Sequence, residues 1–490
     1  MPIIGKDKKI PLTPLSMNHE DAVIIATESN GFIDHQTGFF IKTKGNWIIS
    51  ELTYFRGNII KKDKEGKTKI KPGVFPYLFY NKDGNIRNYT HPDEPISLNG
   101  RSIILEGRTF ATQPLPTLMS FETAHDFLNG KNAEIKEVYP ILKQRQAKFV
   151  NFDWDKKLYD LEACITIATY FFDIFKVFPI VFFYGSPETG KGRGMKSIIF
   201  ASHKGMLFVS PTPATTFRTI DAFRPTLGID EFTKIYEELM VIIRAIYKKG
   251  LKVPRTEEVK DEGRLGLGLF ETYCALMLAS TRELEPVTMT RTIKIVMKRA
   301  PDPNPEKNDP EPYDFEDIRG KLYLCRLTQA NKVHETMEEL NKTNLGLSGR
   351  EWEIWRPILT VAKMISVEVF NNVLKLSQEL YYAKYVDLYK EEKDILTALH
   401  NIFTKDGKIT RPAIIVFRPI AVKNSLWKLK SSDYSTEDEF NKTYSPNKVG
   451  WIMKRMGLKK KLVYEGSQYS LTLNEFKDLC ERFNIRFEGL

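Results

Sequence analysis

Residues 180–192 read Ile180-Val181-Phe182-Phe183-Tyr184-Gly185-Ser186-Pro187-Glu188-Thr189-Gly190-Lys191-Gly192. A continuous apolar run that breaks at Gly-Ser-Pro and resumes as helix-compatible sequence implies a buried strand, a loop and a helix. The loop spells G-x-x-x-x-G-K, and the strand-loop-helix context gives that spacing a chemical meaning. Gly185 and Gly190 let the backbone wrap round a phosphate with its N–H groups inward. The helix N-terminus adds positive potential, and Lys191 reaches the terminal phosphate oxygens. The candidate nucleotide-binding residues are therefore Gly185, Ser186, Pro187, Glu188, Thr189, Gly190, Lys191, Gly192 and Arg193, with ATP and Mg2+ as the implied cofactors. An ordinary glycine turn between strand and helix is the alternative. One position departs from the pattern: Gly192 stands where such loops carry a Ser or Thr whose hydroxyl holds the metal. Either a water replaces that hydroxyl, with reduced turnover, or the chain has become a weak ATPase.

Outward from this loop, the apolar runs GMLFVS, PTLGID, YCALMLAS and TIKIVM alternate with helical stretches. Strands that are apolar on both faces, interleaved with helices, predict an αβα sandwich. The run PTLGI ends in Asp230-Glu231. At the tip of a strand beside the loop, Asp230 would orient the metal's water shell and Glu231 would polarise an attacking water as general base. An acidic pair opening a helix is the bland alternative. CALMLAS ends in Ser280-Thr281, placed to sense a γ-phosphate or simply to cap a strand end.

With 490 residues the chain is long enough for about three domains. Hydrophobic residues at 42% and charged residues at 28% exclude global disorder and low-complexity classes. A net charge of +11 suits a polyanionic partner without proving one. The four cysteines, Cys164, Cys274, Cys325 and Cys480, are too far apart to spell a zinc or disulfide framework. The first residues contain no apolar run of signal-peptide length, so a cytoplasmic location is the default. The apolar stretch 165–185 is interrupted by Asp173, Lys176 and Pro179 and reads as helix plus strand rather than a membrane span.

The expected multidomain α/β organisation is a β-rich N-terminal domain at 1–115, a helical connector at 116–160, the αβα core at 161–300, a helical lid at 301–391 and a winged helix at 392–490. In the first of these, turn signals such as KTKGN and NKDGN separate strand-like runs, and the Lys-rich segment 61–71 reads as a hairpin tip or a solvated loop.

The order of loop, IDEF, LAST, then Thr290-Arg291 before TIKIVM resembles AAA+ ATPases. It is most similar to minichromosome-maintenance-like and superfamily-3-like replicative helicases of plasmids, viruses and integrated elements. The resemblance implies an ATP-dependent DNA translocase working as a hexameric ring. It implies that Arg291 reaches a neighbouring subunit's ATP, that Arg350 in SGREWE is a second phosphate contact, and that Lys248 and Lys249 in AIYKKGLKVPR tip a pore hairpin gripping single-stranded DNA. A basic surface turn is the alternative for the two lysines. An origin-binding initiator or loader and an ATP-binding assembly subunit are the rival functions.

Between Lys442 and Lys461 stand seven basic residues, Lys442, Lys448, Lys454, Arg455, Lys459, Lys460 and Lys461, and no acidic one. The helix-start signal YSPN, the amphipathic VGWIMKRM and the strand-like LKKKLVYEGSQYSL read as the helix and wing of a winged helix. There Lys448, Lys454, Arg455, Lys459, Lys460 and Lys461 would contact duplex DNA, or a protein partner instead.

Overall fold

The computed structural model describes residues 32–487 apart from 36–37, 63–67, 93, 99–100, 107–116, 231–236, 260–263, 300–308, 348, 389, 406–407, 410–413, 464–465, 484 and 486. The chain is mixed α/β and divides into two compact units, Met1–Leu380 and Tyr381–Leu490.

In the first unit the early turn signals do produce strands. These are β1 (Phe32–His35), β2 (Phe40–Thr43), β3 (Asn46–Lys62), β4 (Thr68–Lys82), β5 (Ile86–Thr90), β6 (Ile96–Leu98) and β7 (Arg101–Glu106). They make an antiparallel sheet ordered β2-β3-β4-β5 and a smaller one ordered β1-β7-β6. The Lys-rich segment lies at the far end of the β3–β4 hairpin, and its central residues 63–67 fall outside the described residues.

Three helices follow: α1 (Phe121–Leu128), α2 (Ile135–Ala147) and α3 (Lys157–Thr169). Almost every side chain of α3 is buried, including the polar Asp160, Glu162, Thr166 and Thr169. Among the described residues no helix is long and apolar enough to cross a membrane.

The core sheet comes next. Its chain order is β8 (Ile180–Tyr184), α4 (Lys191–Ala201), β9 (Met206–Val209), α5 (Pro213–Phe223), β10 (Thr226–Asp230), α6 (Glu237–Ile246), the hairpin β11 (Lys252–Val259) and β12 (Arg264–Glu271), β13 (Ala275–Ser280), α7 (Pro286–Met289) and β14 (Thr292–Val296). Five strands pair in the order β14-β8-β13-β10-β9, all parallel. The chain thus leaves β8, crosses two strand positions to β9, and returns through β10 to β13, which lies against β8. A parallel sheet binds ligands beyond the carboxyl ends of its strands where the winding reverses, here between β8 and β13.

The long helix α8 (Glu316–Asn341), α9 (Gly349–Ile365) and α10 (Val367–Leu388) follow, and the unit ends within α10. Arg326 of α8 is fully buried. Its Nε donates to Glu51 Oε2 of β3 at 2.7 Å, and its two terminal nitrogens donate to the Asp173 carboxylate at 2.9 and 2.8 Å. Lys204, which follows α4, lies 3.0 Å from Glu51 Oε1. Burial opposes ionisation of Glu51 and Asp173, but the cations around them win and both carboxyls stay below their usual range. Burial also pushes His203, which stands 2.9 Å from Glu51, down to about 4, so its imidazole is neutral at pH 7. The β-rich segment, connector, core and following helices as far as Leu380 lie in one compact unit.

The second unit contains α11 (Lys390–Phe403), β15 (Thr404–Lys405), β16 (Lys408–Ile409), β17 (Ile414–Phe417), α12 (Pro419–Lys430), α13 (Glu437–Thr443), α14 (Pro446–Arg455), β18 (Lys460–Val463), β19 (Gly466–Thr472) and α15 (Leu473–Arg482). The expected strand pair at the end of the basic stretch is β18–β19, and β17 adds a third strand along β19. Val422, Leu426, Phe440, Val449, Ile452 and Phe476 form the centre of its core.

Candidate nucleotide site and basic face

The loop between β8 and α4 has the geometry its glycines permit. Gly190 lies at φ 79°, in the left-handed region that side-chain-bearing residues rarely adopt. A Cβ on Gly185 would stand 2.6 Å from the Met297 carbonyl oxygen and 2.9 Å from Thr189 Oγ1, so only glycine fits. Thr189 Oγ1 donates to the Ser186 carbonyl at 2.8 Å, and Lys191 Nζ donates to the same oxygen at 2.5 Å. Partial burial lowers the Lys191 pKa from the usual lysine value, while the Asp230 carboxylate acts in the opposite direction.

Against this loop lies a cavity of about 650 Å³ lined by residues 188–193 together with Lys196, Asp230, Ala279, Thr281 and Asp309. The lysine of the loop and the acid at the tip of β10 thus share one cavity, with the end of β13 between them. A Cβ on Gly192 would be 3.4 Å from Asp230 Oδ2, ordinary contact distance, so a serine hydroxyl would reach that carboxylate. This cradle fits phosphate groups, and one carboxylate beside them fits a Mg2+ ion, which keeps most of its ligands as phosphate oxygens and water. Asp230 would hold that ion's water shell.

Of the strand-end pair, only Thr281 lines the cavity. Ser280 is buried, and its Oγ accepts from the Arg282 N–H at 2.9 Å, shaping the turn out of β13. Glu231 lies outside the described residues. Of the charged residues lining the cavity, Lys196 and Asp309 lie outside the expected set. Lys196 and Arg193 place their side chains on Asp309, at 2.9 and 3.0 Å, and these bonds, Lys196's first, hold the Asp309 carboxyl below its usual value. The spacing from Arg193 to Lys196 is one helical turn and was readable. Asp309 arrives from far along the chain and carried no local signal.

Arg291 and Arg350 do not line this cavity. Thr292 pairs with Ile180, so Arg291 sits at the amino end of β14, a five-residue strand spanning roughly 15 Å, while the loop follows the carboxyl end of β8. Its guanidinium lies 5.0 Å from the centre of the Tyr247 ring. Arg350 donates to Thr290 Oγ1 at 2.8 Å, which brings the two arginines to the same end of the sheet.

Lys248 and Lys249 are not at a hairpin tip either. They follow α6, where Lys249 N–H donates to the Lys176 carbonyl at 2.9 Å, and Gly250 at φ 90° turns the chain into β11. A glycine ending a helix resembles a glycine in a turn, so Lys248-Lys249-Gly250 carries the composition of a hairpin tip one element before β11–β12. Residues 260–263, between β11 and β12, lie outside the described residues.

On and just after α14, the stretch that looks purely basic in sequence meets acids from α11 and α15. Lys448 lies 2.7 Å from Glu391, Arg455 lies 2.5 Å from Glu392 and 3.3 Å from Glu391, and Lys459 lies 3.7 Å from Glu475. Lys454 and Lys460 are exposed, and the Lys461 side chain falls outside the described residues.

No family model and no curated protein matches this chain. Among solved structures, SCCmec type IV Cch, an active helicase, is similar at 10% identity, over 90% of this chain and 98% of that one, with a TM-score of 0.34.

Proposed function

We propose that this chain is an ATP-dependent DNA translocase, a helicase acting as a homo-oligomeric ring, most simply a hexamer, in replication of a mobile genetic element. The observation that carries the reading is the strand order: β13 lies between the strand that feeds the glycine loop and the strand that ends in Asp230, so Lys191, Thr281 and Asp230 converge on one cavity at the carboxyl edge of the sheet.

In this reading the backbone of 185–190 and Lys191 bind the phosphates, Asp230 orients the metal's water shell, and Glu231 draws a proton from the attacking water. ATP with Mg2+ supplies the transferable phosphoryl group and its charge neutralisation. Arg291 and Arg350 lie at the opposite end of the sheet from their own cavity, a position that suits contact with the phosphates of a second copy. The helices α8–α10 take the place of a lid, and the second unit that of a DNA-contacting winged helix. The β11–β12 hairpin, inserted between α6 and β13, is the candidate pore element.

ATP hydrolysis measured with and without single-stranded DNA, alongside the native mass, tests this. DNA-stimulated turnover by an oligomer is expected. A monomer whose turnover ignores DNA would refute it. Gly192 favours a second reading, an ATP-binding assembly subunit, whose mark is tight nucleotide binding without turnover in the presence of DNA.

A further inference from the structure

The outward face of α14 exposes Asn447, Trp451, Lys454 and Arg455. They recur at helical spacing along one side. At its centre Trp451 is 57% exposed, although tryptophan is among the most expensive side chains to leave in water. The ring is not loose: Arg455 lies 4.6 Å from its centre, and Arg455 is itself anchored to Glu391 and Glu392. The result is an indole plate held in a defined orientation beside the exposed cation Lys454.

We propose that Trp451 is a stacking platform for an unpaired base of single-stranded DNA, with Lys454 on the adjacent phosphate. The proposal rests on the reading that the second unit contacts DNA and narrows its substrate from duplex to single strand. Two observations favour the single strand. A duplex presents base edges in its grooves, which are read by hydrogen-bonding side chains, whereas the broad face of an indole matches the face of a base, which only an unpaired strand offers. In addition, the carboxylates of Glu391 and Glu392 offset Lys448 and Arg455, leaving this helix fewer unopposed cations than gripping a duplex backbone calls for.

The test uses the full-length chain, fluorescein-labelled oligo(dT) and a duplex of equal length, with Trp451→Ala and Trp451→Phe variants. Because Trp451 is exposed, both variants should keep the fold, which far-UV circular dichroism verifies. The wild type should bind oligo(dT) more tightly than duplex, and oligo(dT) should quench its tryptophan fluorescence. Trp451→Ala should abolish most of that quench and weaken oligo(dT) binding roughly 5- to 150-fold, the range one base–aromatic stack supplies, while Trp451→Phe recovers part of the affinity. An undiminished quench in Trp451→Ala, or equal weakening toward oligo(dT) and duplex, overturns the stacking role and leaves DNA binding standing. A wild type that binds neither nucleic acid refutes the DNA reading itself.

Discussion

Replacing Arg326 with methionine would remove the buried cation while keeping most of its volume. Arg326 gives two hydrogen bonds to Asp173 and one to Glu51, and all three side chains are almost wholly removed from water. After the change Glu51 retains Lys204 at 3.0 Å, but Asp173 loses the partner that outweighs its burial. Removing one member of a buried pair costs about 3–5 kcal/mol, because the remaining charge is uncompensated. The pH dependence has a definite sign. In the wild type Asp173 titrates below its unfolded value, so its contribution is present above about pH 4 and is lost as the pH falls further. In Arg326→Met burial dominates and raises that pKa, so the penalty is largest near neutrality and shrinks as acid protonates the carboxyl. Urea denaturation of both proteins at pH 7.5 and pH 5 measures it. A second change, Asp173→Asn in the methionine background, should recover a large part of the loss. A destabilisation under about 1 kcal/mol, or one that grows on acidification, would refute the account.

Lys191→Ala should abolish ATP binding or turnover without unfolding the chain, measured by nucleotide-binding fluorescence and circular dichroism. Gly192→Ser should fit without strain beside Asp230 and raise Mg2+-dependent turnover severalfold; unchanged steady-state rates would mean that the hydroxyl is not missed. Mixing Arg291→Ala with Lys191→Ala protein should restore part of the ATPase activity that each lacks alone, since an interface of the two mutants can hold one intact half-site from each; mixed oligomers without rescue would exclude action between subunits. Glu391→Gln should free Lys448, while Arg455 stays on Glu392, strengthen binding to DNA and steepen its dependence on log salt by up to roughly 0.9 for a duplex.

The core sheet was legible because a parallel strand covered on both faces is apolar without interruption, as in residues 180–184 and 275–280. The loop was legible because its glycines are required by local geometry. What the sequence hides is anything settled by distant partners. Seven basic residues in one stretch suggest a strongly positive face, yet Glu391, Glu392 and Glu475 from other helices stand among them. The hairpin was displaced by one element because β12 reads Leu-Gly-Leu-Gly-Leu, whose glycines weaken its strand signal, while Lys248-Lys249-Gly250 has the composition of a turn. Arg350 follows from no local pattern: its position depends on how α9 packs at the end of β14.

The buried charge cluster also bears on how such a chain can be shortened or recombined. Glu51 comes from the amino-terminal sheet, and it is the carboxylate that both Lys204 and Arg326 face. A junction near residue 115, where a change of sequence pattern invites one, would take from both cations the carboxylate they share and leave Arg326 with Asp173 as its acidic partner. The amino-terminal sheet therefore shares its buried charges with the rest of the first unit. The boundary of the two units at Leu380 falls inside α10, so an exchange of parts that keeps this helix whole would cut past Leu388, between α10 and α11.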